Sequence, residues 1–249
     1  MPAPVRRGVH RVRARLGPPP PDPFAIPPDC DPATAEICRR VKPYTLTPPP
    51  RIMALCEAIR HLERAGIAGP IVECGVWRGG SMMAAALTLV ELGATDRDFY
   101  LFDTFTEMPL PDERDTHMSG KPGPEFFQEV VAGDEVYDLL PLDRVRELLE
   151  GTGYPAGRFH FVQGLVEDTI PDQAPAEIAL LRLDTDWYRS TIHEMRHLYP
   201  RIVSGGILIV DDYGEFAGAR QAVDEYLAED GRPVLLNRVD FSCRLIQVP

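Results

Sequence analysis

The stretch from Ile71 to Ser81, IVECGVWRGGS, decides the fold, because an apolar strand, a glycine turn and a helix start follow one another in it. Gly75 permits a sharp turn off the strand, and Gly79 and Gly80 are expected to let a ligand approach the helix N-terminus closely. The amides of that terminus and the Ser81 hydroxyl can hold a carboxylate or a phosphate. A turn of this kind indicates a Rossmann-like fold, but many nucleotide-binding proteins share it.

The rest of the chain alternates strand and helix patterns. Apolar and alternating runs predict seven strands, at 70–74, 99–103, 158–163, 177–184, 205–211, 232–237 and 240–247. Helical spacing and helix-end residues predict helices at about 31–41, 51–66, 79–92, 124–131, 142–150, 189–199 and 217–229. Repeated strand–helix units predict an α/β fold, a mostly parallel, doubly wound sheet of seven strands with an antiparallel last strand. The last two strands are expected to form a hairpin around 237–239.

Length, charge and cysteine usage limit the class of protein. With 249 residues and 44% apolar content, residues 30–249 are expected to form one domain. The net charge of −12 argues against nucleic acid as a partner, because a phosphate backbone would be repelled. The sequence has no apolar run of membrane-spanning length, so no membrane partner is expected. Five scattered cysteines without CxxC pairs indicate the reduced thiols of a cytoplasmic protein.

Two segments depart from the alternating pattern. Residues 1–29 are basic and proline-rich, with five arginines and no acid in 1–21, which predicts a flexible arm. Residues 104–140 are polar, rich in glycine and proline, and too long for an ordinary connection in a compact domain. This second segment predicts a lid or a substrate-binding element. Disorder is the alternative, against which its three phenylalanines weigh.

Side chains at the ends of the first three strands suit a cofactor that contains an amino acid, a ribose and an adenine. Glu73 would repel a pyrophosphate but suits an ammonium group. Asp103 can accept hydrogen bonds from both ribose hydroxyls, or it can simply start a turn. Gln163 and Gly164 can meet an adenine edge, or they can belong to a helix cap. Together these groups indicate S-adenosylmethionine, and Thr45 either covers its carboxylate or caps the next helix.

Three aspartates at the ends of two further strands predict a metal site. Asp184 closes one buried apolar run, and Asp211 and Asp212 close another. Because adjacent parallel strands end at the same edge of a sheet, the three carboxylates should converge, and their repulsion favours a hard divalent cation. Each aspartate taken singly can also be read as a turn or helix-capping residue. As a set beside a cofactor crevice, the three favour the metal site.

Four segments carry a family resemblance. They are 72–80, 101–105, 181–188 and 211–213, with the sequences VECGVWRGG, LFDTF, LRLDTDWY and DDY, and through them residues 40–247 resemble the macrocin O-methyltransferase family. The resemblance implies the Rossmann-like sheet of class I methyltransferases, S-adenosylmethionine as donor, and Mg²⁺ bound by Asp184, Asp211 and Asp212. It also implies a sugar hydroxyl of a glycosylated small molecule as acceptor, and it adds Trp77 to the cofactor turn. The metal site is similar as well to that of catechol O-methyltransferase, whose lysine base is replaced here by Trp187.

The expected chemistry requires a nucleophilic oxygen in line with the methyl group and a group that takes up its proton. We expect Asp184 to act as ligand and proton acceptor, with Asp186 as the alternative base. His117, in the lid, is a third candidate, for which a solvated loop histidine is the simpler interpretation. Trp187 is expected in the wall of the substrate site.

Two other classes of protein stay open at this point. One is a nucleotide- or NAD-binding Rossmann enzyme, against which Glu73 counts, and the other is a non-catalytic carbohydrate-binding protein of the same fold. The long lid and the proline-rich N-terminal segment also leave room for a homodimer or a higher homo-oligomer.

Overall fold

The computed structural model of the protein describes residues 22, 24–133 and 139–249. Most of the predicted flexible arm, residues 1–21 and 23, lies outside the described residues. Within the described part of that segment, Ile26 packs against the core, and the Lys42 ammonium lies 5.5 Å from the centre of the Phe24 ring. In the described ranges, no helix is both long enough and apolar enough to cross a membrane.

Seven strands form one sheet in the order β3-β2-β1-β4-β5-β7-β6. They are β1 (Ile71–Cys74), β2 (Phe99–Asp103), β3 (Phe159–Gln163), β4 (Ile178–Leu183), β5 (Ile202–Val210), β6 (Asn237–Arg238) and β7 (Arg244–Gln247). Strands β1 to β5 pair in parallel, whereas β7 runs antiparallel to both β5 and β6. The strand order reverses at β1, between β2 and β4, and this is where doubly wound sheets open a crevice for ligands. The predicted fold class is confirmed.

Eight helices accompany the strands of the described chain. They are α1 (Pro32–Val41), α2 (Pro49–Ala65), α3 (Gly80–Leu92), α4 (Gly123–Gly133), α5 (Leu142–Glu150), α6 (Val166–Thr169), α7 (Tyr188–His197) and α8 (Ala217–Asp230). Helix α1 begins as the sequence predicts, because the Asp31 side chain accepts hydrogen bonds from the first free amides. Helix α2 ends at Gly66, which adopts the left-handed conformation that favours glycine.

The core has two layers, one on each face of the sheet. On one face, α1, α2, α3 and α5 pack over alternate strand residues such as Ile71. On the other face, α6, α7 and α8 cover the remaining ones, such as Val72. Because both faces are covered, the central strands are buried, and polar side chains can reach a ligand only at the strand ends. The crevice at those ends is therefore the place to look for a functional site.

The predicted terminal hairpin is wrong in its extent. Residues 232–236 are not a strand, because Gly231 ends α8 in the left-handed conformation and Pro233 has no amide hydrogen to donate to a neighbouring strand. The turn also lies later than predicted, at 239–243, where the Asp240 carboxylate accepts hydrogen bonds from the amides of Ser242 and Cys243.

Candidate active site

The three strand-end aspartates lie together, as the sequence predicts. One carboxylate oxygen each of Asp184, Asp211 and Asp212 lies within 4.8 Å of the others. The main chain explains this, because the amide of Asp184 donates to Cys74 O and the amide of Asp211 to Leu183 O, both at 2.9 Å. These bonds continue the parallel pairing just past the strands and hold the aspartates at one level. Three hard oxygen donors at this spacing could hold a divalent cation such as Mg²⁺.

Electrostatics at this cluster also suit a cation. Burial raises the pKa of Asp184 to about 6, against the lowering effect of Arg182 and with a further contribution from Asp211. Burial, followed by the charges of Asp186 and Asp184, holds the pKa of Asp212 well above its ordinary value. These shifts mean that ionised carboxylates repel one another here, which a bound cation would relieve.

Asp186 is held against the cluster by an unusual backbone conformation. Its φ is +63°, a left-handed value that is uncommon for residues other than glycine. This conformation turns its side chain back to a hydrogen bond with Asp212, and burial together with Asp184 raises its pKa well above the ordinary value. Asp186 therefore lies beside the three aspartates, where the alternative base was expected.

Arg182 is the main feature that the sequence reasoning missed. Its side chain is only 2% exposed, and it lies between Glu73, Asp184 and Asp211, at 2.7, 2.6 and 2.6 Å respectively. From the sequence alone, a metal ion is expected to relieve the repulsion between the aspartates. The buried guanidinium of Arg182 supplies part of that positive charge. A signal was available, because an arginine inside a run of buried apolar residues needs partners.

A second buried arginine, Arg51, was also missed. It pairs with Asp211, donates from Nε to Asp240 Oδ2 at 2.7 Å, and lies 3.9 Å from Glu215. Its position in the first turn of α2 resembles that of an ordinary surface arginine, so the sequence carries no comparable signal.

The glycine turn after β1 is braced by protein groups. Gly75 has φ +83°, and a Cβ there would collide with the carbonyl of Asp184, so glycine lets the two strand ends approach. Asp103 Oδ2 accepts hydrogen bonds from the amides of Val76 at 2.6 Å and Trp77 at 2.8 Å. Its Oδ1 accepts from the amide of Phe105 at 2.7 Å. Asp103 therefore supports the turn and also starts one of its own.

The close approach that Gly79 and Gly80 permit is made by the protein itself. A Cβ at Gly80 would collide with the Tyr44 carbonyl, and one at Gly79 would lie 3.2 Å from Val145. These glycines make room for other parts of the protein, because α3 packs tightly against α5 and against the segment ahead of α2.

The threonines ahead of α2 do not cap it, since the capping position is Pro48 and no side chain bonds there. Thr45 Oγ1 accepts from the amide of Thr47 at 3.0 Å. The Thr47 hydroxyl accepts from Arg182 at 3.0 Å and lies 3.5 Å from that of Ser81. The segment therefore places Thr47 beside the guanidinium, within 3.5 Å of Ser81 in the first turn of α3.

Glu73 has an unused oxygen. Its Oε1 accepts from Arg182, while its Oε2 is buried without a hydrogen-bond partner among the described residues. Burial raises the pKa of Glu73 to about 8, although Arg182 opposes the shift. A buried acceptor that lacks a donor is costly, so this oxygen is suited to a ligand group that donates hydrogen bonds.

The other predicted cofactor residues lie in two places, at a cavity outside the strand-end carboxylates and beside Asp103. Thr45 and Trp77 line a cavity of about 350 Å³. Trp77 has φ +49°, and the Arg78 guanidinium lies 4.6 Å from the centre of its ring. Gln163 Nε2 donates to Thr104 O at 3.1 Å, and Gly164 N donates to Asp103 O at 2.9 Å. Gln163 is the last residue of β3 and Gly164 follows it, next to Asp103.

The described part of residues 104–140, the segment predicted to be a lid, is docked on the loop that carries Asp211 and Asp212. The amide of Met118 donates to Glu215 O at 2.7 Å, and the amide of Ala217 donates to Thr116 O at 2.9 Å. The His117 ring stacks on Phe126 with centroids 4.0 Å apart and lies 3.9 Å from Glu215. Burial lowers the pKa of His117, and Lys121 adds to the effect. The interpretation of His117 as a solvated loop histidine is therefore wrong.

Trp187 is also placed differently from the expectation. It is buried, its indole donates to Pro109 O at 2.8 Å, and its ring packs 4.9 Å from that of Phe216. Trp187 thus seals the contact between the lid and the start of α7, and it is not an open wall for a substrate.

A doubly wound sheet with this strand order, an acidic cluster at its edge and a glycine turn beside it is the arrangement expected of a class I methyltransferase. Residues 39–247 match the model of a protein family described as Macrocin-O-methyltransferase (TylF). The chain therefore belongs to the macrocin O-methyltransferase family and is an O-methyltransferase. The resemblance identified from the four sequence segments is confirmed.

Individual relatives agree with this assignment. The chain is 30% identical over 213 residues to 8-demethyl-8-(2,3-dimethoxy-alpha-L-rhamnosyl)-tetracenomycin-C 4'-O-methyltransferase of Streptomyces olivaceus, covering 86% of this chain and 78% of the relative. It is 30% identical over 189 residues to mycinamicin III 3''-O-methyltransferase of Micromonospora griseorubida, covering 76% and 72% respectively. The solved structure of the O-methyltransferase NovP is similar with a TM-score of 0.72 and 26% identity over 82% of each chain.

Proposed function

We propose that the protein uses S-adenosylmethionine and Mg²⁺ to methylate a hydroxyl on the sugar of a glycosylated natural product. The observation that carries this proposal is the convergence of Asp184, Asp211 and Asp212 beside the cofactor turn. The printed names of the two relatives support the acceptor class, because one names a rhamnosyl-bearing tetracenomycin and the other mycinamicin III.

The cofactor is assigned to the crevice at the ends of β1, β2 and β3. The unused oxygen of Glu73 accepts the ammonium group, and Asp103 accepts a ribose hydroxyl at the one acceptor site of Oδ1 that its turn contacts leave. The remaining contacts are assigned to Thr45, Gly75, Trp77 and Ser81 for the amino-acid part and to Gln163 and Gly164 for the adenine. A negatively lined crevice suits a donor that carries a sulfonium and an ammonium group.

The carboxylates at the ends of β4 and β5 are assigned to the cation. Asp184, Asp211 and Asp212 hold the cation, while Arg182 and Arg51 orient Asp184 and Asp211 from behind. When bound, Mg²⁺ supplies Lewis-acid stabilisation of negative charge on the acceptor oxygen, and S-adenosylmethionine supplies an electrophilic methyl group.

Asp186 is the residue we assign as general base, in preference to Asp184. Asp184 accepts a hydrogen bond from Arg182 at 2.6 Å and belongs to the cation-binding set. Asp186 lies outside that set, is partly exposed and is hydrogen-bonded to Asp212, so its carboxylate borders the cation site without belonging to it and can take up the proton of an acceptor hydroxyl there. His117 remains a second candidate, because its lowered pKa leaves the imidazole neutral and able to accept a proton.

A methyl-transfer assay tests the proposal. The protein is incubated with S-adenosylmethionine and a panel of deoxysugar-bearing macrolides and aminocoumarins, and S-adenosylhomocysteine release is measured. We expect turnover that EDTA abolishes and Mg²⁺ restores. Undiminished turnover after exhaustive chelation would refute the metal dependence, and binding of NAD in place of S-adenosylhomocysteine in calorimetry would refute the cofactor.

We further propose that the protein works in the cytoplasm. The support is that the cysteines are free thiols, and that Cys38, Cys56, Cys74 and Cys243 are buried. Buried free thiols are typical of proteins folded under reducing conditions.

A further inference from the structure

We propose that Arg182 is a positioning residue. Its guanidinium holds the cation-binding carboxylates and the cofactor-binding carboxylate at the same time, so that the affinity for the cation and the affinity for the cofactor both depend on it. The inference rests on the proposed function, since it takes Glu73 as the cofactor's acceptor and Asp184 and Asp211 as metal ligands.

The contacts of the guanidinium carry this inference. Nη1 donates to Glu73 Oε1 at 2.7 Å and to Asp184 Oδ2 at 2.6 Å. Nη2 donates to Asp211 Oδ1 at 2.6 Å and to the Thr47 hydroxyl at 3.0 Å. The four partners come from β1, from the ends of β4 and β5, and from the segment ahead of α2. One planar group therefore fixes side chains from four separate parts of the chain.

The chemistry of arginine explains why this residue type is required. A guanidinium holds its donors in a rigid planar fork, whereas an ammonium is a compact charge on a flexible stem. Lysine at this position would keep the charge but could not hold four acceptors in the same arrangement. Because Glu73 and Asp211 are almost fully buried, either carboxylate is left uncompensated when it loses this partner.

Arg51 provides a matched comparison within the same site. Its recorded ion pairs in the described chain are with Asp211, Glu215 and Asp240. It therefore shares Asp211 with Arg182 but not Glu73 or Thr47. If Arg182 joins the two sites, its replacement must affect both, while replacement of Arg51 must affect the cation site alone.

Calorimetry on the full chain tests this difference. Mn²⁺ is titrated without cofactor, and S-adenosylhomocysteine is titrated without metal, into the wild type, Arg182→Lys and Arg51→Lys. We expect Arg182→Lys to weaken both ligands about tenfold, and Arg51→Lys to weaken Mn²⁺ about tenfold while S-adenosylhomocysteine stays within about twofold. A general loss of structure would instead weaken both ligands in both variants.

A milder variant keeps the inference testable should Arg182→Lys fail to fold. Thr47→Val removes one acceptor of Arg182 and lies outside the cation cluster, so we expect it to weaken Mn²⁺ about threefold. Unchanged Mn²⁺ affinity in Thr47→Val, or unchanged S-adenosylhomocysteine affinity in a folded Arg182→Lys, would overturn the inference alone. A wild-type protein that binds neither ligand would overturn the proposed function, and the inference with it.

Discussion

At the scale of single residues, Asp212 offers a direct test of the repulsion between the carboxylates of the site. It is buried, and both Asp186 and Asp184 raise its pKa, so its ionised form is disfavoured unless a cation is present. Ionising this buried carboxylate costs stability, and residues that bind a ligand often lower the stability of the fold in this way. Replacing Asp212 should therefore have opposite effects on the stability of the fold and on metal binding.

Asp212→Asn should stabilise the protein in the absence of metal. The amide keeps the shape of the side chain but cannot ionise, so folding no longer carries the free-energy cost of burying or neutralising this carboxylate beside Asp186 and Asp184; we expect a rise of about 1 kcal/mol in the free energy of unfolding, or roughly 2–4 °C in Tm. Mn²⁺ affinity should fall at least about tenfold. Calorimetry and thermal melting in EDTA measure both effects. Asp224→Asn, on the exposed face of α8, is the control, and a lower Tm for Asp212→Asn would contradict the repulsion.

Glu194 predicts a pH dependence of stability. It is fully buried behind Asp184, accepts hydrogen bonds from Thr185 at 3.0 and 3.1 Å, and burial raises its pKa from 4.5 to about 8. Because the folded-state pKa is the higher one, its protonation stabilises the fold fully below about pH 4.5, and this contribution is lost as the pH rises through about 8.

Glu194→Gln should therefore reduce the dependence of the unfolding free energy on pH. Between about pH 5 and about pH 8, the wild type should lose roughly 1 kcal/mol more unfolding free energy per pH unit than the variant. Denaturant unfolding in EDTA at several pH values measures this. Glu36→Gln, at an exposed position on α1, should keep the wild-type slope. Parallel profiles for the wild type and Glu194→Gln would show that Glu194 is not the titrating group.

At the scale of elements, the lid is attached through a buried side chain. Asp115 accepts hydrogen bonds from the amide of Tyr188, at the start of α7, at 2.8 Å and from that of Asp112 at 2.7 Å. A Cβ at Gly218, in the first turn of α8, would collide with Asp115 Oδ1. The lid thus depends on the absence of a side chain on a neighbouring helix.

Gly218→Ala should loosen the lid without weakening its own helix. Alanine favours a helix over glycine by about 1 kcal/mol, so any loss must come from the contacts of the new Cβ with Asp115 and with the amide of Tyr188 that Asp115 binds. We expect the KM for the acceptor to rise about tenfold, while S-adenosylhomocysteine affinity stays unchanged. Steady-state kinetics and calorimetry measure the two. Gly157→Ala, where an added Cβ meets no atom within 4 Å, is the control. An unchanged KM for Gly218→Ala would show that the lid does not depend on the absence of a side chain at this position.

At the scale of the whole molecule, the proposed arm at the N-terminus is separable from the catalytic domain. Deleting residues 1–21 should leave Tm within about 2 °C and cofactor affinity unchanged, because these residues are basic, proline-rich and poor in apolar groups. Deleting 1–30 should cost more, since it also removes Phe24 and Ile26, and Ile26 packs on the core. Thermal melting compares the two deletions, and a large fall in Tm for the shorter one would contradict separability.

The fold class, the first five strands and the place of the aspartates could be predicted from the sequence, because they depend on local pattern. An apolar run of strand length defines a buried strand, and a polar residue at its end defines the edge where ligands bind. The terminal hairpin was harder, since β6 has only two residues and its pairing depends on contacts with β7 that no local pattern records. The surroundings of Trp187 and His117 likewise depend on where the lid docks.

The sequence by itself determined that this chain is a doubly wound methyltransferase with acidic residues at the ends of β4 and β5. Only the tertiary structure decided how those charges are balanced. Arg182 reaches Glu73 across 109 positions of the chain, and Arg51 reaches Asp211 across 160. Strand patterns repeat over a few residues, whereas the partner of a buried charge is chosen by whatever the fold brings within hydrogen-bond distance, so such pairs become visible only when the chain is folded.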